Sequence, residues 1–338
     1  MSCLAIVKQD TSHQYRLGIY GRRDPKGWRT VPVPWLGMTS PEIEVTADLV
    51  RELLQDQHPD LAGLAIREVA GGWDNHMWRI GDELVVRIPR TERAPDLQRK
   101  ECQWLPVLAP RLPLQVPIPV RVGEPSARFP KPWAIMTWVP GRPLDGISIT
   151  RGDHAADILA GFLTALHVEA PVEAPISSDR GAHPRQCTDG FEKYMESVAP
   201  ENLAVAAGRI REVWSDAVAA PGWGGPPVWL HGDLHPANAV VTDGTLSGVI
   251  DFGDMFAGDP AWDLAAAWLL LPASRSSRFF EGYAQTDAAT IRRARGLAAL
   301  KSLFLILMGQ NGEQGLPGGK PTWGPLGRAT LDRVLTSG

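Results

Sequence analysis

The chain predicts an α+β fold in two unequal parts, a small mixed lobe followed by a mainly helical one. Three observations carry that expectation. The first is size: 338 residues, 44% hydrophobic and 21% charged, suffice for a substantial core divided between two lobes. The second is a change of period, from short apolar runs broken by turn residues to longer runs at helical spacing. The third is a pair of polar clusters, HGDLHPAN at 231–238 and IDFGD at 250–254, that interrupt the helical half.

Residues 1–37 have no clear periodicity and hold six basic and two acidic side chains, which reads as an extension preceding a functional domain that begins near Met38. Thr46 then caps a helix whose apolar stripe is Ala47, Val50, Leu53 and Leu54. Strand-like runs follow in LAIREVAGG, HMWRIG and ELVVRIPR, separated by Gly and Asp turn signals. The helix PDLQRKECQWLPVLA precedes two further strands, LPLQVPIPVRVG and WAIMTWV. Strand, strand, strand, helix, strand, strand makes the first lobe, residues 38–138; residues 139–338 form the second. There the expected helices are HAADILAGFLTALHVEA, DGFEKYMESV, ENLAVAAGRIREVWSDAV, PAWDLAAAWLLL, ARGLAALKSLFLILM and RATLDRVL. Short strands VWL, AVVT and GVI flank the polar clusters, and the Gly- and Pro-rich stretch 311–327 reads as a surface loop.

Composition excludes several function classes. No apolar run reaches the length of a bilayer span. Three cysteines, Cys3, Cys102 and Cys187, are odd in number and widely spaced, which argues against a disulfide framework or zinc cluster and for a reducing cytoplasm. The net charge of -4 is too mild to imply a nucleic-acid partner. Residues 141–338 hold 16 Lys and Arg against 22 Asp and Glu, a weak hint of a cationic substrate.

His231 and His235 stand four apart, as zinc-binding helical histidines do, but Gly232 lies between them and Pro236 follows, which breaks a continuous helix. Asp and Asn also form turns, so a structural loop is the plainer reading. Phosphoryl transfer uses more of the residues. It needs an acceptor hydroxyl held in line and cations on the phosphates. Asp233 can orient the hydroxyl and take its proton, Asn238 offers a neutral oxygen five positions on, and Asp251 supplies the anionic oxygen that Mg²⁺ prefers. His231 suits a loop brace by hydrogen bonding better than a base.

HGDLHPAN resembles the kinase catalytic loop H-R-D-L-x-x-x-N, with Gly232 in place of arginine, and residues 251–253 match DFG outright. The H-G-D form followed by IDFGDMFAGDPAWDLA is similar to the aminoglycoside/macrolide phosphotransferase family and its small-molecule kinase relatives. GGWDN at 71–75 resembles that family's nucleotide-loop turn, VVRIPR at 85–90 its third strand, WVPGRPL at 138–144 its hinge, and FLTALH at 162–167 its first large-lobe helix. The RIPR spelling resembles the macrolide enzymes in particular. The resemblance spans residue 60 or so to the C-terminus and is specific because the motifs occur in order.

The resemblance implies a protein-kinase-like two-lobed fold and transfer of the γ-phosphate of ATP or GTP, with Mg²⁺, to a hydroxyl of a small polar molecule. An antibiotic is the best-known acceptor; a metabolite kinase or a silent nucleotide-binding protein is the alternative. It implies catalytic roles at Asp233, His231 and Asn238 and metal ligands at Asn238 and Asp251. Nucleotide contacts follow at Gly71, Gly72, Asn75, Arg87, Glu101, Thr137 and Val139, with Arg87 as the phosphate cation, Glu101 its helix partner, and Thr137 to Val139 offering backbone to the base. Asp259 and Asp263 fit fold-holding roles, and His167 fits the interior. The short interval 254–257 between DFG and GDPAWD has no room for a long activation loop, which argues for a diffusible acceptor over a protein. A monomer or homodimer without nucleic-acid or membrane partners completes the expectation.

Overall fold

Helix α1 (Ala47–Gln57) opens with Thr46 at its N-cap, the Thr46 Oγ1 accepting the Leu49 N–H at 3.2 Å. The strands β1 (Ile66–Val69), β2 (Asn75–Ile80) and β3 (Leu84–Pro89) come next, then α2 (Ala94–Leu108), β4 (Pro119–Gly123) and β5 (Trp133–Thr137). All pairings among these strands are antiparallel, in the order β1-β2-β3-β5-β4. In this computed structural model the described residues are 43–177, 180–199, 203, 206–283 and 285–337, so the extension 1–37 lies outside them. From Val45 onward the chain forms one compact unit.

Alternation along β3 and β5 gives the sheet two apolar faces. Val86, Ile88, Trp133 and Ile135 pack with Val50, Leu53 and Leu54 of α1. On the other face Val85, Ala134 and Met136 join Leu105 and Leu108 of α2 in the main core. Burying each such side chain contributes about 2 kcal/mol. The period of two puts Arg87 on the α2 side of the sheet, facing that helix. Only Pro119–Gly123 of the run 112–123 is a strand, since its prolines withhold the N–H groups a ladder needs. Gln115 instead bridges to the helical half, donating to Ser247 O at 3.3 Å and accepting from Val249 N at 2.9 Å.

That half comprises β6 (Arg142–Pro143), α3 (Gly152–Leu166), α4 (Thr188–Ser197), α5 (Ala207–Ala219), β7 (Val228–Leu230), β8 (Ala239–Thr242), β9 (Thr245–Val249), β10 (Phe256–Gly258), α6 (Ala261–Leu264), α7 (Ala266–Leu269), α8 (Ser276–Gly282), α9 (Ala288–Glu313) and α10 (Trp323–Thr336). β6, β8 and β9 form one small sheet and β7 with β10 another, so the 231–238 segment leaves β7 and returns into β8. α9 is the axis of the half. Its buried side chains, among them Leu297, Leu303 and Ile306, meet α5, α6 and α10.

Three expectations change. The run 260–271 folds as the two short helices α6 and α7, because uniform apolarity carries no phase from which a break can be read. The helix expected from 201 begins at Ala207, with residues 201, 202, 204 and 205 outside the described set. The loop expected over 311–327 is shorter, since α9 continues to Glu313 and α10 starts at Trp323. Gly315 and Gly318, at φ +66° and +76°, turn the chain, whereas Gly324 serves packing: a Cβ on Gly309 would lie 2.3 Å from the Gly324 Cα.

Candidate active site

The 231–238 loop is fixed from beneath by a buried carboxylate. Asp263, at the start of the α6 turn, accepts the backbone N–H of His231 at 2.6 Å and of Gly232 at 3.1 Å, with His167 Nε2 at 3.6 Å on its other side. Burial opposes that charge, but His167 and Lys301 outweigh it and hold the Asp263 carboxyl below its ordinary range. Gly232 has φ +84°, and a Cβ there would meet Asp254 O at 2.3 Å. The backbone crossing therefore requires glycine where the kinase loop has arginine.

His231 is fully buried. Its Nδ1 accepts the Asp233 N–H at 3.1 Å, which puts the ring proton on Nε2, donated to Ile250 O at 3.0 Å. Burial pushes its pKa down, so the ring is neutral and both nitrogens are engaged. It ties the loop to the Ile250–Asp251 turn and has no nitrogen for reacting atoms, which corrects its expected place among the catalytic residues. His167 is likewise interior, its Nδ1 2.8 Å from the Tyr283 hydroxyl. Asp259 caps α6 through Ala261 N at 2.9 Å and pairs with the Arg293 guanidinium at 2.8 Å.

Asp233 and Asn238 face outward from this brace. The Asn238 amide donates from Nδ2 to Asp233 O at 3.0 Å, leaving Oδ1 as the acceptor it presents. His235 accepts the Ala237 N–H on Nδ1, so its Nε2 carries the proton that it directs at Asp233 Oδ2, 3.5 Å away. Burial works against the Asp233 charge, yet His235 and Arg180 hold its carboxyl well below the usual carboxylate range. Ile250 N donates to Asn238 O at 2.9 Å and draws the second motif alongside the first.

Asp251 has φ 64° and a side chain 49% exposed, while Phe252 behind it is fully buried against the His231 ring at 4.5 Å. A non-glycine residue held left-handed costs on the order of 1 kcal/mol, here sustained by the packing of Phe252. Arg87 Nη2 lies 3.7 Å from Asp251 Oδ1, and Arg87 Nη1 donates to both Glu101 oxygens at 2.8 and 2.7 Å. Glu101 is fully buried and also accepts the Phe252 N–H at 3.1 Å. Burial pushes the Glu101 carboxyl up, and Arg87 draws it back toward the charged form. Arg87 Nε is buried and makes no hydrogen bond among the described residues, a donor left over after the ion pair is made.

The 71–75 turn covers this group. A Cβ on Gly72 would stand 4.0 Å from Asp251 Oδ2, and one on Gly71 only 2.6 Å from Asn75 O. Asn75 is turned inward, its Oδ1 accepting from Gln98 Nε2 at 2.7 Å, so its side chain braces the turn and does not reach the cleft as expected. At 137–139, Thr137 N–H goes to Ile118 O and Trp138 N–H to Glu83 O, which leaves the Val139 N–H without a backbone acceptor among the described residues. A cavity of about 370 Å³ behind this segment is lined by Leu112, Leu114, Gln115, Thr137 and Val139; it includes neither the 71–75 turn nor the 231–238 loop.

Three cations and an aromatic group join the site unannounced by the sequence. Arg180 Nη1 lies 3.3 Å from Asp233 Oδ1 and 3.0 Å from Asp254 Oδ2, and Arg93 reaches Asp254 at 3.4 Å and Asp74 at 2.6 Å. Lys301 donates to Trp262 O at 2.9 Å, and burial pushes its pKa down to about 8 against the pull of Asp263 and Asp233. A second group is aromatic: Trp73 at the tip of the 71–75 turn packs on Phe304 and Trp323, and Trp323 stands 4.8 Å from the His235 ring. Apart from Trp73, which lies within GGWDN, no local motif marks these residues, because each meets the site across a long sequence separation.

A small antiparallel lobe with a buried Arg–Glu pair, over a helical lobe presenting Asp233, Asn238 and Asp251, is the architecture of a kinase-like phosphotransferase. The chain belongs to the phosphotransferase enzyme family, whose sequence profile matches residues 65–297. It is 29% identical to viomycin phosphotransferase of Streptomyces vinaceus over 233 residues, 66% of this chain and 78% of that one. It is 26% identical to the aminoglycoside 3'-phosphotransferase of Escherichia coli over 45% of this chain and 58% of the relative. Among solved structures, the GDP complex of an aminoglycoside 2'-phosphotransferase superposes with a TM-score of 0.61 at 20% identity, covering 85% of this chain and 97% of the other. The macrolide 2'-phosphotransferase of Brachybacterium faecium superposes with a TM-score of 0.54 at 21% identity, covering 82% and 97%. At these identities the structural matches speak for the fold, which is the two-lobed α+β architecture the sequence predicts.

Proposed function

We propose that this phosphotransferase moves the γ-phosphoryl group of ATP or GTP to a hydroxyl of a small antibiotic. The observation that carries the reading is how the two motifs are tied together: Asn238 bonds the Asp233 carbonyl at 3.0 Å, Ile250 N bonds Asn238 O at 2.9 Å, and the next residue, Asp251, lies 3.7 Å from Arg87 and beneath the Gly72 backbone. The antibiotic acceptor is supported by the viomycin and aminoglycoside enzymes among its relatives and by the aminoglycoside and macrolide enzymes that share its fold. The nucleotide is supported by GDP, ADP and AMP-PNP complexes of those neighbours.

In this reading the nucleotide lies between a lobe of residues 38–138 and one of residues 139–338. The base meets the backbone of Thr137 and Val139, Gly71 and Gly72 cover the phosphates, and Arg87, its Nη2 3.7 Å from Asp251, is the phosphate cation. Glu101 holds the Arg87 fork in that direction. Asn238 Oδ1 and the half-exposed Asp251 carboxylate are hard oxygen donors that fit Mg²⁺, a cation that takes few protein ligands and fills its shell from phosphates and water. When bound, the ion would neutralise phosphate charge. Asp233, kept ionised by its neighbours, hydrogen-bonds the acceptor hydroxyl and sets its lone pair in line. Because its pKa is depressed, it is a weak base and receives the proton late, as the new O–P bond forms.

Cytoplasmic location, a monomer or homodimer, and the lack of a nucleic-acid partner belong to the same proposal; no helix among the described residues is long and apolar enough to cross a membrane. The test is nucleotide consumption by the full chain with ATP or GTP and Mg²⁺ against aminoglycosides, macrolides, cyclic peptide antibiotics, nucleoside antibiotics and amino alcohols. Acceptor-dependent release of ADP or GDP with at least one antibiotic is expected. Turnover confined to an amino alcohol would replace the antibiotic reading, and nucleotide binding without turnover on any acceptor would replace catalysis with binding.

A further inference from the structure

Around Asp233 the chain has assembled a cation that the kinase motifs do not include. Arg180 comes from the segment between Ser177 and the turn at Pro184, not from the 231–238 loop, yet its Nη1 is held by three oxygens of the site. These are Asp233 Oδ1 at 3.3 Å, Asp254 Oδ2 at 3.0 Å and Gly232 O at 3.5 Å. Its backbone is anchored as well, Arg180 N donating to Ser177 Oγ at 3.0 Å. The side chain is 27% exposed, and its Nε and Nη2 make no hydrogen bond to the described residues. One corner of the guanidinium is fixed and the adjoining fork is open.

An in-line transfer places charge on both sides of the phosphorus. Arg87, beside Asp251, stands on the nucleotide side. The acceptor side has Asp233 and Asp254, two carboxylates facing an incoming trianionic group, and Arg180 sits between them. Arg93 does not substitute for it, since its fork is closed on Asp74 at 2.9 and 2.6 Å. Lys301 does not either, its ammonium being donated to Trp262 O and seated over the Trp262 ring at 4.8 Å. Planar, permanently charged and forked, an arginine here suits two equatorial oxygens of a phosphoryl group better than a point charge would.

We infer that Arg180 is a catalytic residue of the phosphoryl transfer, its Nε–Nη2 fork binding the transferring group from the acceptor side while Nη1 holds Asp233; the inference rests on the kinase reading above. As the acceptor O–P bond forms, the bond from phosphorus to the β–γ bridging oxygen breaks, the acceptor proton passes to Asp233, and the nucleoside diphosphate leaves with the bonding pair. Arg180 neutralises the oxygens in flight and exchanges no proton.

The test compares wild type, R180A and R180K for binding of Mg·ADP alone and Mg·ADP with aluminium fluoride, whose planar complex imitates the transferring phosphoryl and needs no identified acceptor. Fluoride should tighten ADP retention by wild type at least tenfold; R180A should bind Mg·ADP within about twofold of wild type and lose that tightening, with R180K intermediate. On an acceptor found by the screen, kcat of R180A should fall about 10³-fold with the nucleotide KM within a few-fold, and free guanidinium should restore part of the rate. A purely structural Arg180 would move neither the fluoride response nor the guanidinium rescue. Equal tightening in wild type and R180A, or none in either while ADP still binds, overturns the assignment. Failure of wild type to bind nucleotide at all would instead overturn the kinase reading on which it depends.

Discussion

Asp251 concentrates the chemistry of the site in one residue. It is held in the left-handed region at φ 64° by the burial of Phe252 beside it, and that strained turn is what exposes its carboxylate toward Arg87 and the Gly72 backbone. Asn tolerates the same backbone, whereas Ala would add about 1 kcal/mol of strain to the loss of charge. Asp251→Asn is therefore the clean substitution. It should leave the melting temperature close to wild type while abolishing the Mg²⁺ dependence of nucleotide binding. Calorimetric titration of ATP with and without Mg²⁺ checks this, and unchanged metal dependence would move the cation elsewhere. His231 teaches the converse. Its place in the motif marks it as chemical, but a buried ring with both nitrogens committed can only position its neighbours.

At the scale of elements, the site depends on one helix meeting one strand. β3 alternates Val86 and Ile88 toward α1 with Val85 and Arg87 toward α2, and Glu101 of α2 closes on Arg87 at 2.7 Å. Both partners are buried, so removing one charge strands the other. Glu101→Gln should destabilise the fold by about 3 kcal/mol in urea unfolding. It should also weaken nucleotide binding, because Arg87 loses the charged partner that fixes it and the Phe252 N–H loses its carboxylate acceptor. Unchanged stability would mean that the pair is dispensable. This contact was expected through the family resemblance of VVRIPR and the helix after it, not from the period of β3 or the phase of α2. The length of α10 was not legible: Gly324 reads as a turn signal, while its role is to let α10 approach Gly309 of α9. Composition records glycine but not whether it serves a bend or a close crossing.

Across the whole molecule, the parts of the site that the sequence revealed are those whose spacing is short. HGDLHPAN and IDFGD carry Asp233, Asn238 and Asp251 within one loop–strand–strand–turn unit, and β7, β8 and β9 bring them together. The remainder is assembled by tertiary packing. Arg180 meets Gly232 from 52 positions away, Arg93 meets Asp254 from 161, and Trp73 of the small lobe seats on Trp323 near the C-terminus. Arg180 and Arg93 stand in stretches without a distinguishing motif, and GGWDN marks a turn at Trp73 without naming its partner, so only the fold reveals these contacts. The fold in turn places Asp233 at the centre of both groups, hydrogen-bonded through its backbone to Asn238 and His231 and ion-paired to Arg180. The account stands or falls on that residue orienting an acceptor hydroxyl. The most direct measurement is single-turnover phosphoryl transfer from γ-labelled nucleotide by wild type and Asp233→Asn, run beside nucleotide titration of both. The account predicts a rate about 10³-fold lower in the variant with nucleotide affinity within about twofold of wild type. Transfer by the variant at the wild-type rate would contradict it.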